Sequence, residues 1–360
     1  MKIIIAGDLS PTSHLENQFI SGSVINLLGK DLNHRWHKSD FKLFNLETPL
    51  TNKINPIAKN GPNLIGNPQT IKGIKELDPN LVLLANNHIM DQNYNGLVDT
   101  IKLMKAYDIP YIGSGDSITS AKDTFIFEKN NYKVGFYNCA EHEFGIATDD
   151  SPGANPFDPL TSLDDIQELS KKCDYTVVIY HAGKEHYRYP SPNLQKICRR
   201  MIDKGADFVV TQHSHCIGSK EEYKGKTIVY GQGNFLFNYK KRLDDPFWGN
   251  GMLIELELSH DNETITYIPY LATETGIILA NKKEKDILLD EFFERSENIK
   301  DKAFINKEYE IYAKKHLSQY LNAFSGWNIW LKRIDHHIFK GKLSKWYFNK
   351  KKLLAIKNIV

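Results

Sequence analysis

The sequence predicts an α/β protein made of stacked βα units, and three observations carry that expectation. Short β-branched runs alternate with amphipathic stretches from residue 1 to about 270, the pattern of strands and helices laid in layers. Helical start and stop residues frame three of the amphipathic stretches. Finally, residues of metal-ligand type stand at or just after several expected strand ends, where open α/β sheets assemble their sites. No internal repeat interrupts the pattern.

The first strand, expected over residues 3–6, runs through Gly7 into Asp8. A second, over 41–45, leads through Leu46 to Glu47, and a third, over 81–84, leads through Ala85 and Asn86 to Asn87 and His88. Between and after them, helices are expected over 69–76, behind Pro68, and over 96–107, behind Asn95. Strands over 124–128 and 134–138 precede the stretch 141–159, whose Gly145, Gly153 and three prolines read as a loop bordering the site. The strand over 175–180 ends at His181, with Gly183 allowing a sharp turn. A helix over 193–204 follows Pro192 and stops before Gly205. The strand over 208–211 runs into Gln212-His213-Ser214-His215, and strands over 227–231 and 252–258 complete this part.

After Leu271 the composition shifts to Lys, Glu, Asp, Leu and Ile at helical spacing, for example Ile287, Leu288, Phe292, Phe293, Tyr309 and Tyr312. Two parts are therefore expected: a layered domain over 1–270 and a helical extension over 271–360. Residues 331–360 carry nine Lys or Arg against one Asp, with Trp346, Tyr347 and Phe348 among them. Such a segment reads either as a solvated terminal helix or as a basic surface for an anionic membrane, an anionic polymer or a membrane synthase complex.

With 360 residues, 25% charged and 41% hydrophobic, the chain has material for a sizeable core. A net charge of +2 gives no global field for binding nucleic acid. The apolar run at the N-terminus is too short for a signal peptide, and no run of eighteen apolar residues occurs elsewhere. Cys139, Cys173, Cys198 and Cys216 lack Cys-x-x-Cys spacing and read as reduced thiols. The expected location is the cytoplasm, with peripheral membrane association through 331–360.

His213 and His215 carry the sharpest chemical signal. In extended chain, residues i and i+2 face the same side, so two neutral imidazoles can meet one small volume, as metal ligands do. Taken alone, each other position has a plainer reading: Asp8 as a turn residue, Asn87-His88 as a cap, His181 as a satisfied core histidine. Asp91, three residues after His88, can take one imidazole N–H and fix the tautomer, leaving the other nitrogen for a substrate oxygen.

The ordered set Gly7-Asp8, Asn45-Leu46-Glu47, Ala85-Asn86-Asn87-His88 with Asp91, His181-Ala182-Gly183-Lys184-Glu185, Gln212-His213-Ser214-His215 and Gly231-Gln232-Gly233-Asn234-Phe235 resembles the bacterial capsule-synthesis CapA/PgsA family (PGA_cap), a branch of the calcineurin-like metallophosphoesterases. The resemblance covers about residues 1–270 and implies a four-layer α/β/β/α metallophosphoesterase sandwich holding two divalent metal ions. It implies Asp8 and His215 as ligands of one ion, Asn87, His181 and His213 as ligands of the other, Glu47 as the bridge, and His88 as the substrate-facing histidine. Ser10 stands where the wider superfamily has a histidine, and Ala182 and Ser214 replace a tryptophan and a proline usual at those positions.

Two such cations about 3.5–4 Å apart would activate water for in-line attack and stabilise the developing oxyanions. Carboxylate and imidazole donors suit manganese, iron or zinc. Lys184 and Arg188 are candidates for clamping an anionic group, with Glu185 beside them; Asn234 and, at the rim, His142 are further candidates for supporting the site. The expected function is hydrolysis of a phosphate ester or anhydride in the synthesis of a cell-surface polymer. The alternatives are amide or ester hydrolysis on poly-γ-glutamate or a modified glycan, and a non-catalytic assembly factor of a membrane polymer synthase. The expected partner is an anionic polymer or phosphorylated substrate, not nucleic acid.

Overall fold

The computed structural model describes residues 1–59, 61–237 and 247–325. In chain order these form β1 (Lys2–Leu9), α1 (Glu16–Ser21), α2 (Val24–Lys38), β2 (Phe41–Leu46), α3 (Ile71–Glu76), β3 (Leu81–Leu83), α4 (Asn93–Ala106), β4 (Tyr111–Ile112) and β5 (Ser114–Gly115). There follow α5 (Ile118–Ala121), β6 (Phe125–Lys129), β7 (Tyr132–Ala140), β8 (Gly153–Ala154), α6 (Ser162–Ser170), β9 (Tyr175–His181), α7 (Pro192–Asp203) and β10 (Phe208–Gln212). The chain continues through β11 (Ile217–Tyr223), β12 (Lys226–Gln232), β13 (Asn250–Leu258), β14 (Glu263–Thr273), β15 (Gly276–Leu279), α8 (Lys282–Asn298) and α9 (Lys302–Ser325).

Two mixed sheets face each other. One has the order β15-β14-β13-β1-β2-β3-β4 and the other β11-β12-β10-β9-β7-β6. Ile3, Ile5, Leu43 and Leu83 of the first meet Phe136, Val177, Ile179, Val210 and Val229 of the second in one fully buried apolar layer. The alternate residues Ile4, Phe44 and Val82 point outward, where Leu28, Leu32 and Trp36 of α2, Ile74 of α3 and Leu97 of α4 cover them. This is the period-two rule of strands applied to a sheet buried on both faces. Helices α6 and α7 cover the outer face of the second sheet, burying Ile166, Leu169, Cys198 and Met201. The order of layers is therefore α/β/β/α.

The centre of each sheet is parallel: β1 with β2, β2 with β3, and β7, β9, β10 and β12 among themselves. Their C-terminal ends consequently lie along the same edge, at Asp8 beside Asn45 in one sheet and at Ala140, His181 and Gln212 in register in the other. Gln212 and Gln232 each donate a side-chain N–H across to the first sheet, to the carbonyls of Ala6 (3.0 Å) and Ile5 (3.1 Å). Two buried amides thus lock the sheets together next to that edge.

The strands β4, β5, β8, β11, β14 and β15 and the helices α1, α2, α5 and α6 depart from the expectation, β8 lying inside the stretch 141–159 read as a loop. Strand β11 is apolar only at its start, β14 contains Pro269, and α2 is broken at Gly29, whose φ is 61°. The composition shift near residue 271 falls inside β14. Residues Met1–Lys302 form one compact unit, because Leu288 and Phe292 of α8 join the inter-sheet apolar cluster. The second unit begins at Ala303, and its described part is α9. The basic segment 331–360 lies outside the described residues. Among the described residues no helix is long and apolar enough to cross a membrane, and the four cysteines are free.

Candidate metal centre

Glu47, one residue beyond β2, is completely buried, and neither of its carboxylate oxygens has a hydrogen-bond partner. Three imidazole nitrogens surround its Oε1: His181 Nε2 at 3.4 Å, His215 Nε2 at 3.8 Å and His88 Nε2 at 3.9 Å. These distances are too long for direct hydrogen bonds. They suit donors arranged around something placed between them. A dry carboxylate without compensation costs several kcal/mol, so the arrangement fits a cation.

Asp8, at the end of β1, is also buried. Its Oδ1 accepts from Asn45 Nδ2 (2.8 Å) and its Oδ2 from the backbone N–H of His213 (3.1 Å), which fixes the carboxylate plane. Burial, and next to it the Glu47 carboxylate, pushes the Asp8 carboxyl above its usual range. Gly7 is required here because any side chain on it would strike the carbonyl of Gly233, which brings β1 against the turn carrying Asn234. The donors separate into two groups that share Glu47, one with Asp8 and His215 and the other with His181 and His213. Asn87 joins the second group, its Oδ1 being 3.1 Å from His181 Nε2. All six ligands inferred from the resemblance thus converge on one volume.

His213 and His215 converge by a different route from the one expected. Strand β10 ends at Gln212, and both histidines have left-handed backbone, with φ of 80° and 55°. A tight turn, rather than strand alternation, aims the two rings. Left-handed non-glycine residues cost free energy and cluster at functional sites. His215 Nδ1 pairs with Asn234 Oδ1 at 2.8 Å, leaving Nε2 to face Glu47. Asn234 therefore fixes the orientation of the His215 ring.

His88 sits in a turn before α4. Its Nδ1 is 2.5 Å from Asp91 Oδ2, and that oxygen also accepts the backbone N–H of Leu64 at 2.6 Å. The turn itself is held by Asn138, whose Oδ1 accepts the N–H of Ala85; Gly113, with φ of 94°, is needed because a side chain there would displace that oxygen. Lys59 was missed in the sequence. Its buried ammonium pairs with Asp91, lies 3.1 Å from His88 Nδ1 and sits over the ring of Phe144.

Glu141 and Glu143, also missed, approach His213 Nε2 at 3.7 and 3.6 Å. Burial opposes protonation of His213, but Glu143, Glu141 and Glu185 outweigh it and raise the imidazole to about 10. His181, by contrast, is held down to about 3, chiefly by burial. Glu185 is on the exposed rim, where His213 and His215 overcome its desolvation and keep it ionised. Burial raises the Glu141 carboxyl despite the nearby Lys184 ammonium, whereas at Glu143 burial is outweighed by the His213 imidazole and then Lys184, and the carboxyl is lowered.

Arg188 corrects the expected clamp. Its guanidinium donates to Glu291 of α8 (2.9 Å) and to the carbonyl of Ile217 (3.1 Å) and lies over Phe247, joining α8 to β11. The exposed His142 stands between the two glutamates that reach the cluster. Neither Lys59, Glu141 nor Glu143 carries a periodic signal, because all three lie in irregular chain. Only their charge in loops flanking the motifs could have singled them out.

Residues 2–239 match the family model described as "Bacterial capsule synthesis protein PGA_cap". The chain is 32% identical over 205 residues to a "PGA biosynthesis protein CapA" of Bacillus subtilis, covering 56% of this chain and 54% of that protein. It is 31% identical over 252 residues to a "Capsule biosynthesis protein CapA" of Bacillus anthracis, covering 66% of this chain and 60% of that one. The chain thus spans little more than half the length of these relatives. Among solved structures, a phosphatase from Mycoplasma pneumoniae superposes with a TM-score of 0.46 at 13% identity, over 79% of this chain and 96% of that one.

Proposed function

Because the chain belongs to the family of the bacterial capsule synthesis protein PGA_cap, we propose that it is a hydrolase requiring two divalent metal ions, which cleaves a phosphate ester or anhydride during the synthesis of a capsule or related cell-surface polymer. The observation that carries this reading is Glu47, a fully buried carboxylate with both oxygens unpartnered, set between imidazoles and Asp8. The printed names of the relatives support the polymer context.

Asp8 and His215 would hold one ion and Asn87, His181 and His213 the other, with Glu47 reaching both. Manganese, iron or zinc suits this set of carboxylate, amide and imidazole donors. When bound, the ions would activate water and stabilise charge developing on the substrate. His88 turns Nε2 toward the centre while Asp91 holds Nδ1, so the imidazole is oriented to donate a proton to the leaving oxygen. Asn234 fixes the His215 ring through Nδ1. Asn86 donates to Asn45 Oδ1, and Asn45 in turn holds Asp8.

The engagement of Arg188 by α8 removes one cation that a phosphorylated substrate would use. The printed name of the Bacillus subtilis relative, a PGA biosynthesis protein, favours as a second reading the cleavage of an amide or ester bond in poly-γ-glutamate or a modified glycan by the same centre. Purified protein should carry close to two metal ions and hydrolyse bis(4-nitrophenyl) phosphate or 4-nitrophenyl phosphate. Turnover only on a polyglutamate or acylated-glycan panel would select the second reading. Two bound ions with no turnover on either panel would overturn both and leave a non-catalytic assembly factor. Loss of membrane or synthase association on deleting 331–360, with turnover unchanged, would assign docking to that segment.

A further inference from the structure

One carboxylate accepts a hydrogen bond from one of the proposed ligands and faces another. Glu143 lies just beyond β7, at the start of a loop rich in glycine and proline. Its Oε2 accepts from Asn87 Nδ2 at 3.2 Å, and its Oε1 lies 3.6 Å from His213 Nε2. Asn87 and His213 arrive from opposite sheets, after β3 and β10, so no ladder of backbone hydrogen bonds joins those strands to set their relative placement.

An asparagine side chain presents oxygen or nitrogen by a half-turn, and only a partner on the nitrogen side decides which faces inward. Glu143, an acceptor only when ionised, takes the NH2 group and so turns Asn87 Oδ1 toward His181 Nε2, 3.1 Å away. The same reasoning holds for His213. With Nε2 toward a carboxylate, its proton belongs on that nitrogen, and Nδ1, which is buried and has no hydrogen-bond partner, is left as the donor. Resting on the dinuclear reading above, we propose that Glu143 is a positioning residue that orients Asn87 and His213 together toward the second cation. Glu141, Glu143 and His213 also lie close enough to hold an ion of their own. An ion there would use Glu143 Oε1 and His213 Nε2 and leave the buried Nδ1 of His213 without a partner, so the orienting role is the one the contacts favour.

The test uses full-length protein stripped with chelator, refilled with Mn2+ and followed by isothermal titration and electron paramagnetic resonance. Wild type should take up two ions and show the signal of a spin-coupled pair. In Glu143→Gln, which keeps an acceptor for only one partner, the second ion should bind about tenfold more weakly; in Glu143→Ala, about a hundredfold. Both variants should show an uncoupled single-ion signal at one equivalent and keep the wild-type circular dichroism spectrum. Two ions bound at wild-type affinity in both folded variants would overturn the proposal. A third ion in wild type, lost in both variants, would do so too by making Glu143 a ligand. Wild type that binds no Mn2+ would overturn the dinuclear reading itself, an outcome visible before any variant is made.

Discussion

Lys59 and Asp91 form an ion pair in which neither side chain retains more than 1% exposure, directly behind the histidine that faces the centre. Removing one partner of such a pair leaves the other charged and dry, at a cost of about 3–5 kcal/mol. Lys59→Met should lower unfolding free energy by that amount in urea titrations. Adding Asp91→Asn should restore part of it, since the stranded charge is then gone. A Lys59→Met protein as stable as wild type would mean that the ammonium does not compensate Asp91.

Binding of metal should stabilise the fold through Glu47. A ligand at a hundred times its dissociation constant contributes about 2.7 kcal/mol, so adding Mn2+ to chelator-treated protein should raise Tm by several degrees. Glu47→Gln removes the buried charge shared by both donor groups, so its Tm should be indifferent to Mn2+ and chelator alike in differential scanning calorimetry. An equal metal response in both proteins would place the cations elsewhere.

The His213 proton sets the pH dependence of metal uptake. In the metal-free protein this imidazole is raised from 6.5 to about 10. Its proton therefore stabilises the empty fold fully below pH 6.5, and that contribution disappears as pH rises through 10. Since a ligand nitrogen must be unprotonated, apparent Mn2+ affinity should increase by about tenfold per pH unit within that window, with close to one proton released. Calorimetry in buffers of different ionisation enthalpy measures the release. Uptake without proton release would contradict His213 as a ligand.

His88→Ala should lower turnover by about 10²–10⁴-fold while both ions stay bound, because its Nε2 faces the centre but is not part of either donor group. Asp91→Asn should give a smaller loss, since His88 Nδ1 would retain a hydrogen-bond partner. Elemental analysis alongside kinetics separates the two effects. Loss of an ion in His88→Ala would make His88 a ligand.

The donors legible in the sequence share one property: each terminates or closely follows an apolar run, so its position on a strand end could be read from the run itself. Asp8 behind Ile3-Ile4-Ile5 and His181 behind Val177-Val178-Ile179 are of this kind. Of what holds the site residues, Asp91 and Asn234 stand out in the sequence; the rest does not, because it depends on contacts between segments far apart in the chain. Lys59 meets Asp91 only because the loop after β2 is clipped to it, the N–H of Ile57 bonding the Asp91 carbonyl at 3.1 Å. The misplaced clamp has the same origin: Arg188 follows His181 closely in sequence, but Glu291 of α8 draws its guanidinium away. The left-handed turn at His213 is equally invisible to a residue pattern, since either backbone brings two histidines to one side.

Trp36 of the outer helical layer packs its ring on Phe235, centroid to centroid 5.3 Å, and anchors its indole N–H on the carbonyl of Leu77. Phe235 is the immediate neighbour of Asn234, the support of His215. Damage in a distant oily contact will therefore masquerade as a lesion of the proposed metal centre. A genetic screen for loss-of-function alleles should recover changes at position 36.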